Sequence, residues 1–261
     1  RVLGNDDPMT LNGLNSLGII AYMNGDLEQA EKYLSEALAA LRRVHGNEHP
    51  YTMSSISNVG SLLQGLGRPA EAEALFREAA ALQRKVLGAD NPSTLISLNN
   101  LALALQAQGK LAEAEPLYLD ALEKQRRVRG DADVNTLTTL NNLGSLWVAQ
   151  GRYAEAMALL APAQAAMRAA PGGPNAARQV AKLLSSLGKA RQGIGDYDGA
   201  EAALLEAHAL YVQTRGANHA DTLSSAMALS ELYEARHARA PAGGFDAKAA
   251  EWRQRSIAKP T

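Results

Sequence analysis

Apolar side chains fall along one side of successive helical stretches in this chain. Leu98, Leu101, Ala102 and Leu105 stand at i, i+3, i+4 and i+7, one stripe of an α-helix. Gly109 follows as the left-handed residue expected to end that helix. A second helix is predicted from Lys110, burying Leu111, Ala114, Leu117, Tyr118, Ala121 and Leu122 before Gly130 stops it. Polar positions between the stripes carry capping chemistry. Asp7-Pro8 and Asn91-Pro92 set a side-chain acceptor ahead of a proline at the first helical position, where its missing N–H costs nothing. Asp133 and Asn175 are predicted caps without the proline, and His49 and His219 are weaker ones.

The pattern returns with a fixed period. Thr10, Thr52, Thr94 and Thr136 are 42 residues apart, and so are Gly25, Gly67, Gly109 and Gly151. Ala30, Ala72, Ala114 and Ala156 keep the same spacing. Such a period marks stacked helix pairs, each covering its neighbour's apolar face. After Gly172 the register slips by two residues, within 171–174, so that Gly195 and Ala200 answer to Gly151 and Ala156. Six units are predicted, over 7–48, 49–90, 91–132, 133–174, 175–218 and 219–258, in one domain spanning 1–261. Residues 1–6 parallel 85–90 and read as the tail of a preceding repeat. With no initiator Met and no polar capping helix ahead of them, the chain is expected to continue upstream and to gain stability from a further unit there. Pro162 lies inside a second helix, with Pro171 and Pro174 beyond it, so residues 160–176 are predicted to be the least regular stretch.

Composition narrows what such a stack does. Alanine carries much of the 46% apolar content while Val, Ile and Phe are scarce, which favours an all-α fold. With 26 Lys+Arg against 27 Asp+Glu, a net charge of −1 gives no electrostatic reason for nucleic acid or an anionic membrane surface. The absence of cysteine excludes disulfides, thiolate metal sites and cysteine nucleophiles. No apolar run reaches the roughly 18 residues of a membrane-spanning helix. No phosphate-loop, GxSxG or HExxH motif is present, so no catalytic role and no cofactor are expected. His45 and His49 have a ligand-like spacing, but Gly46 interrupts them at a helix end and no metal site is expected.

Leu143-Gly144, Trp147, Gly151, Tyr153, Ala156, Leu160 and Ala163 match the tetratricopeptide repeat signature, and the chain resembles that family over nearly its whole length. Strings such as Leu98-Asn99-Asn100-Leu101-Ala102 and Glu113-Ala114-Glu115-Pro116-Leu117-Tyr118 are similar to the 42-residue kinesin-light-chain subtype. Unit five departs from the pattern, with Arg191 in the aromatic position of Trp147. The close of unit six, Phe245 to Arg253, resembles repeat tails of bacterial serine/threonine kinases. The resemblance implies a right-handed superhelical solenoid of antiparallel helix pairs, a non-enzymatic protein–protein interaction scaffold. It further suggests a sensory or docking tail of a bacterial signalling kinase, placed in the cytoplasm or in the periplasmic part of a membrane-anchored kinase.

The family's geometry assigns the concave groove to the first helices. In this chain the implied groove residues are Asn15, Ile19, Tyr22, Asn58, Asn99, Asn100, Leu103, Asn141, Asn142, Ser145, Lys182, Ser185 and Lys189, with Ser57 and Ser61 in register. An Asn side chain both donates and accepts, so a row of them holds an extended backbone without reading its sequence. Asn is also a poor helix-interior residue, yet it recurs here. The structural alternative is that these amides bond neighbouring helices in a spacer or self-assembling solenoid without a peptide ligand. Arg178, Lys182, Ser185 and Lys189 form one stripe, which favours an acidic peptide or protein partner. Glu231 and Glu234 are expected to neutralise part of it. The chaperone-type carboxylate clamp wants Lys where this chain has Asn15 and Ile96, so that ligand class is not expected.

Overall fold

The computed structural model describes residues 7–169 and 174–257; residues 1–6, 170–173 and 258–261, which include most of the 171–174 register slip, lie outside them. Among the described residues the regular structure is twelve α-helices and one short 3-10 turn. The contacts divide the chain into two compact units, residues 1–128 and 129–261.

The first unit holds α1 (Pro8–Met23), α2 (Leu27–His45), α3 (Pro50–Gly65), α4 (Pro69–Leu87), α5 (Pro92–Ala107) and α6 (Leu111–Arg129), whose last residue passes into the second unit. Successive helices pack on one another from α1 to α5, and α1 also reaches α3 as α3 reaches α5. Capping begins the odd-numbered helices. The Asp7 and Asn91 carboxyl and amide oxygens accept from the Met9 and Ser93 amides at 2.8 and 2.9 Å. His49 caps more loosely, its Nδ1 accepting from the Tyr51 N–H at 3.3 Å. Termination is a glycine matter: Gly88 closes α4 at φ 94°, ψ 164°, a region open essentially to glycine alone. The Thr94 hydroxyl then donates to the Gly88 carbonyl at 2.9 Å, one physical reason that Thr and Gly keep a common period.

Even-numbered helices bury a single stripe, Ala30, Leu34, Ala37, Leu38 and Leu41 in α2 and Ala72, Phe76, Ala79 and Ala80 in α4. Odd-numbered helices lie between two neighbours and bury more of their circumference, as Met53, Ile56, Val59, Leu62 and Leu63 show in α3. α1 is different. Leu17 and Ile20 are 51% and 53% exposed, whereas their counterparts 42 residues on, Val59 and Leu62, are buried.

Polar staples join neighbouring pairs. Arg68 reaches back to Glu31 at 2.7 Å, and Lys110 reaches back to Glu73 at 2.8 Å. Glu73 is buried and also accepts from Gln108 at 2.8 Å and Arg77 at 2.6 Å. Lys110 above all, with Gln108 and Arg77, holds its carboxyl down to about 2 against the opposing effect of burial. A depressed folded pKa means the stabilisation is complete above the ordinary 4.5 and is lost as pH falls from there toward 2. Glu73→Gln is therefore expected to cost about 1–3 kcal/mol at pH 7, since hydrogen bonds to a charged group are lost. Urea unfolding of both proteins at pH 7 and pH 3 should show that difference shrinking at the lower pH. A constant difference would assign the effect to packing.

The second unit holds α7 (Val134–Ala149), α8 (Tyr153–Ala169), α9 (Pro174–Gly193), α10 (Tyr197–Arg215), α11 (Ala220–Arg239) and α12 (Phe245–Arg255), with the 3-10 turn over Pro241–Gly243. Each packs on the next, and α7 also touches α9 as α9 touches α11. Ala200, Leu204, Leu229, Leu232, Tyr233 and Trp252 form one core cluster, seating α12 on α10 and α11. α8 continues through Pro162, whose ring is exposed, and spans 17 residues against 19 for α2, α4, α6 and α10. Asn175 is not a cap: α9 begins at Pro174, so Asn175 sits within its first turn. Arg191, which replaces the expected aromatic residue, donates from Nη1 to the Gly199 carbonyl at 3.0 Å and ties the end of α9 to α10.

Candidate functional site

The implied groove residues separate into two environments in each unit. In the first, Asn15 and Asn99 are enclosed, at 7% and 6% exposed. Asn58 on α3 donates to the Asn15 Oδ1 on α1 at 3.3 Å, so that pair of amides links two helices. Asn99 donates to its neighbour Asn100 at 3.3 Å. Asn58 and Asn100 are themselves half-buried, as is Leu103, and they keep an accessible edge. Ile19 and Tyr22 stand exposed on α1, with the Tyr22 hydroxyl laid over Gly65 of α3. The Ser57 and Ser97 hydroxyls meet at 3.3 Å.

In the second unit the implied residues converge. Asn141, Asn142 and Ser145 of α7 face Lys182, Ser185 and Lys189 of α9 across a concavity of about 210 Å³. Val148 and Ser186 complete the walls, and the Tyr211 ring enters from α10. Tyr211 is buried, which pushes its phenol up to about 12, with the Ser185 hydroxyl beside it acting in the opposite direction. Asn141 is 4% exposed, and its Oδ1 has no hydrogen-bond partner among the described residues.

The electrostatics differ from the expectation. Glu234 is committed to Arg253 and Ser230, and the acidic group that acts on Lys182 is Asp221 of α11. Asp221 is itself paired with Arg215 at 3.7 Å, while the His219 Nδ1 accepts from the Asp221 backbone N–H at 3.1 Å. Lys182 is an exposed residue, yet the protein around its ammonium displaces enough water to hold its pKa below that of an ordinary lysine. Asp221 opposes that shift, and Arg178 and Arg215 add to it. Neither Lys182 nor Lys189 makes an ion pair among the described residues.

Tyr211 was not predicted for the site, because attention to first helices overlooks a second-helix side chain long enough to reach the concavity. A signal existed: Leu41, Gln83, Gln125 and Met167 hold that position in the other units, so a phenol there is unusual. The His45 and His49 rings stack at a centroid distance of 4.5 Å, and the His49 Nδ1 serves the helix cap.

Two family models, both described as tetratricopeptide repeat, match residues 6–85, 52–123 and 93–169 and residues 180–221. The comparison with curated proteins gave no match. Among solved structures, the kinesin light chain nearly identical TPR-like repeats of Podosopora anserina are 25% identical, with a TM-score of 0.64 over 80% of this chain and 98% of that one. BtubC (BKLC) from P. vanneervenii is 22% identical, with a TM-score of 0.66 over 80% and 84%. The Rap conjugation gene regulator of the plasmid pLS20, in complex with the Phr* peptide, is 13% identical, with a TM-score of 0.58 over 94% and 72%.

Proposed function

Because this chain belongs to the tetratricopeptide repeat family, we propose that it is an interaction scaffold whose first helices hold an extended segment of a partner protein. One observation carries the reading. An amide recurs at one register position, 42 residues apart, at Asn58, Asn100 and Asn142, and each time it is half-exposed. A peptide backbone offers a donor and an acceptor at every residue, which such an amide meets in either unit without demanding a particular sequence. The pLS20 regulator, of similar fold, forms a complex with the Phr* peptide, which supports the same use of the stack here. The lysines of the second unit favour a partner of acidic character. Origin as a docking or sensory tail of a bacterial serine/threonine kinase rests on the resemblance of Phe245 to Arg253 alone.

The spacer reading has its own observation, the Asn58–Asn15 bond, which spends two amides between helices. Random-peptide selection on the full chain separates the two. Asn99 and Asn141 are enclosed, so Asn100→Ala with Asn142→Ala is the cleaner variant. Each amide contributes about 0.5–1.5 kcal/mol net, so every selected peptide is expected to weaken by about tenfold, to a similar degree. If no peptide is enriched, or if the folded variant selects as the wild type does, the spacer reading replaces this one.

A further inference from the structure

The geometry points to an acidic-residue subsite between α7 and α9, where one Asp or Glu of a bound peptide places its carboxylate between Lys182 and Lys189 and its backbone N–H on Asn141. The inference rests on the peptide-binding reading and gives it chemical content. Three observations meet at the concavity. Both lysines lack an ion pair among the described residues, while Asp221, the acid that acts on Lys182, is paired with Arg215. The Asn141 carbonyl oxygen is buried in the same wall without a donor among the described residues. Buried acceptors are ordinarily satisfied, and this one belongs to a residue lining the concavity, where a ligand N–H would supply the missing donor. Ser185 and Tyr211 bring hydroxyls that can donate to the anion.

A free anion answers the lysines but leaves Asn141 bare. A neutral peptide answers Asn141 but leaves the two cations of the α9 wall uncompensated. An acidic residue within a peptide carries both groups a few bonds apart, and about 210 Å³ holds its side chain without displacing a wall. Removal of water from the Lys182 ammonium strengthens the contact, because an incoming carboxylate faces weaker competition from solvent. Arg178 and Arg215 reinforce the field that reaches Lys182.

The test uses the full chain and the capped peptide acetyl-Ser-Ala-Ser-Glu-Ser-Ala-Ser-amide, which has no terminal charge. Side-chain NMR signals of Asn141, Lys182 and Lys189 report occupancy. The Glu peptide is expected to shift all three saturably, and its Gln analogue to bind at least tenfold more weakly. Lys182→Gln with Lys189→Gln, both at exposed positions, should reduce the Glu peptide to the level of the Gln analogue and leave the latter unchanged. Acetate that binds as well as the peptide would reduce the site to an anion hole and overturn the inference. A phosphoserine peptide that binds more tightly than the Glu peptide would overturn the carboxylate assignment. Equal binding of Glu and Gln peptides, with shifts at Asn100 and Asn142, would remove the subsite and leave the peptide groove standing. Absence of shifts with every peptide would remove both.

Discussion

Replacing Tyr118 by Ala is expected to lower the stability of the first unit by about 3–5 kcal/mol, the cost of deleting a buried aromatic side chain and leaving a cavity. Tyr118 is fully buried on α6, at the position that Phe76 holds on α4. Its hydroxyl donates to the Gln106 Oε1 at 3.0 Å, so the ring packs while the oxygen is satisfied at the edge of the core. Tyr118→Phe separates the two contributions. Gln106 is half-buried and can turn to water, so this variant should lose no more than about 1 kcal/mol. Urea unfolding followed by circular dichroism measures both. A loss below about 1 kcal/mol for the Ala variant would show that the ring contributes little to the core.

Overpacking should be nearly as costly at Gly144. A Cβ there would stand 2.5 Å from the Leu160 Cδ2, because α7 and α8 cross with no room for a side chain. The same crossing recurs where a Cβ on Gly60 would stand 2.8 Å from Phe76 and one on Gly188 2.7 Å from Leu204. Gly144→Val is expected to destabilise by about 1–3 kcal/mol. Adding Leu160→Ala should return part of that loss, since the two substitutions share one space. Gly13 is the contrast, a helical glycine with open space around its absent Cβ. Gly13→Ala should gain about 0.4–1 kcal/mol by restricting the unfolded chain. If Gly144→Val also proved neutral, the helix crossing would be looser than the structure shows.

Helix ends were legible because glycines with positive φ punctuate the chain at a constant spacing. The second helix expected from Lys110 begins at Leu111, after Gly109 at φ 76°. Asn175 misled because its neighbour Pro174 can itself open a helix, and no sequence rule ranks the two signals. Side-chain fates were harder to read. Asn15 and Asn58 occupy different register positions on neighbouring helices, so their mutual bond needs the three-dimensional offset between α1 and α3. Asn99 and Asn100 are adjacent in the chain, yet one is enclosed and the other half-exposed, a difference of about 100° around the helix. The charge on the concavity was also only partly visible: Lys182 and Lys189 were evident, whereas the acid acting on Lys182 is Asp221, because Arg253 takes up Glu234.

The packing order within each unit also governs how the chain assembles. In the first unit α1 meets α2 and α3, while α5 is met by α3 and α4. No partner is distant along the chain, so ordering one helix pair closes only short loops, and the entropic cost of finding it is small. Folding can start at whichever pair collapses first and extend outward from there. By the same geometry, a distortion entering at α1 has to pass through α3 to be felt at α5, so damage at one edge fades with each helix it crosses.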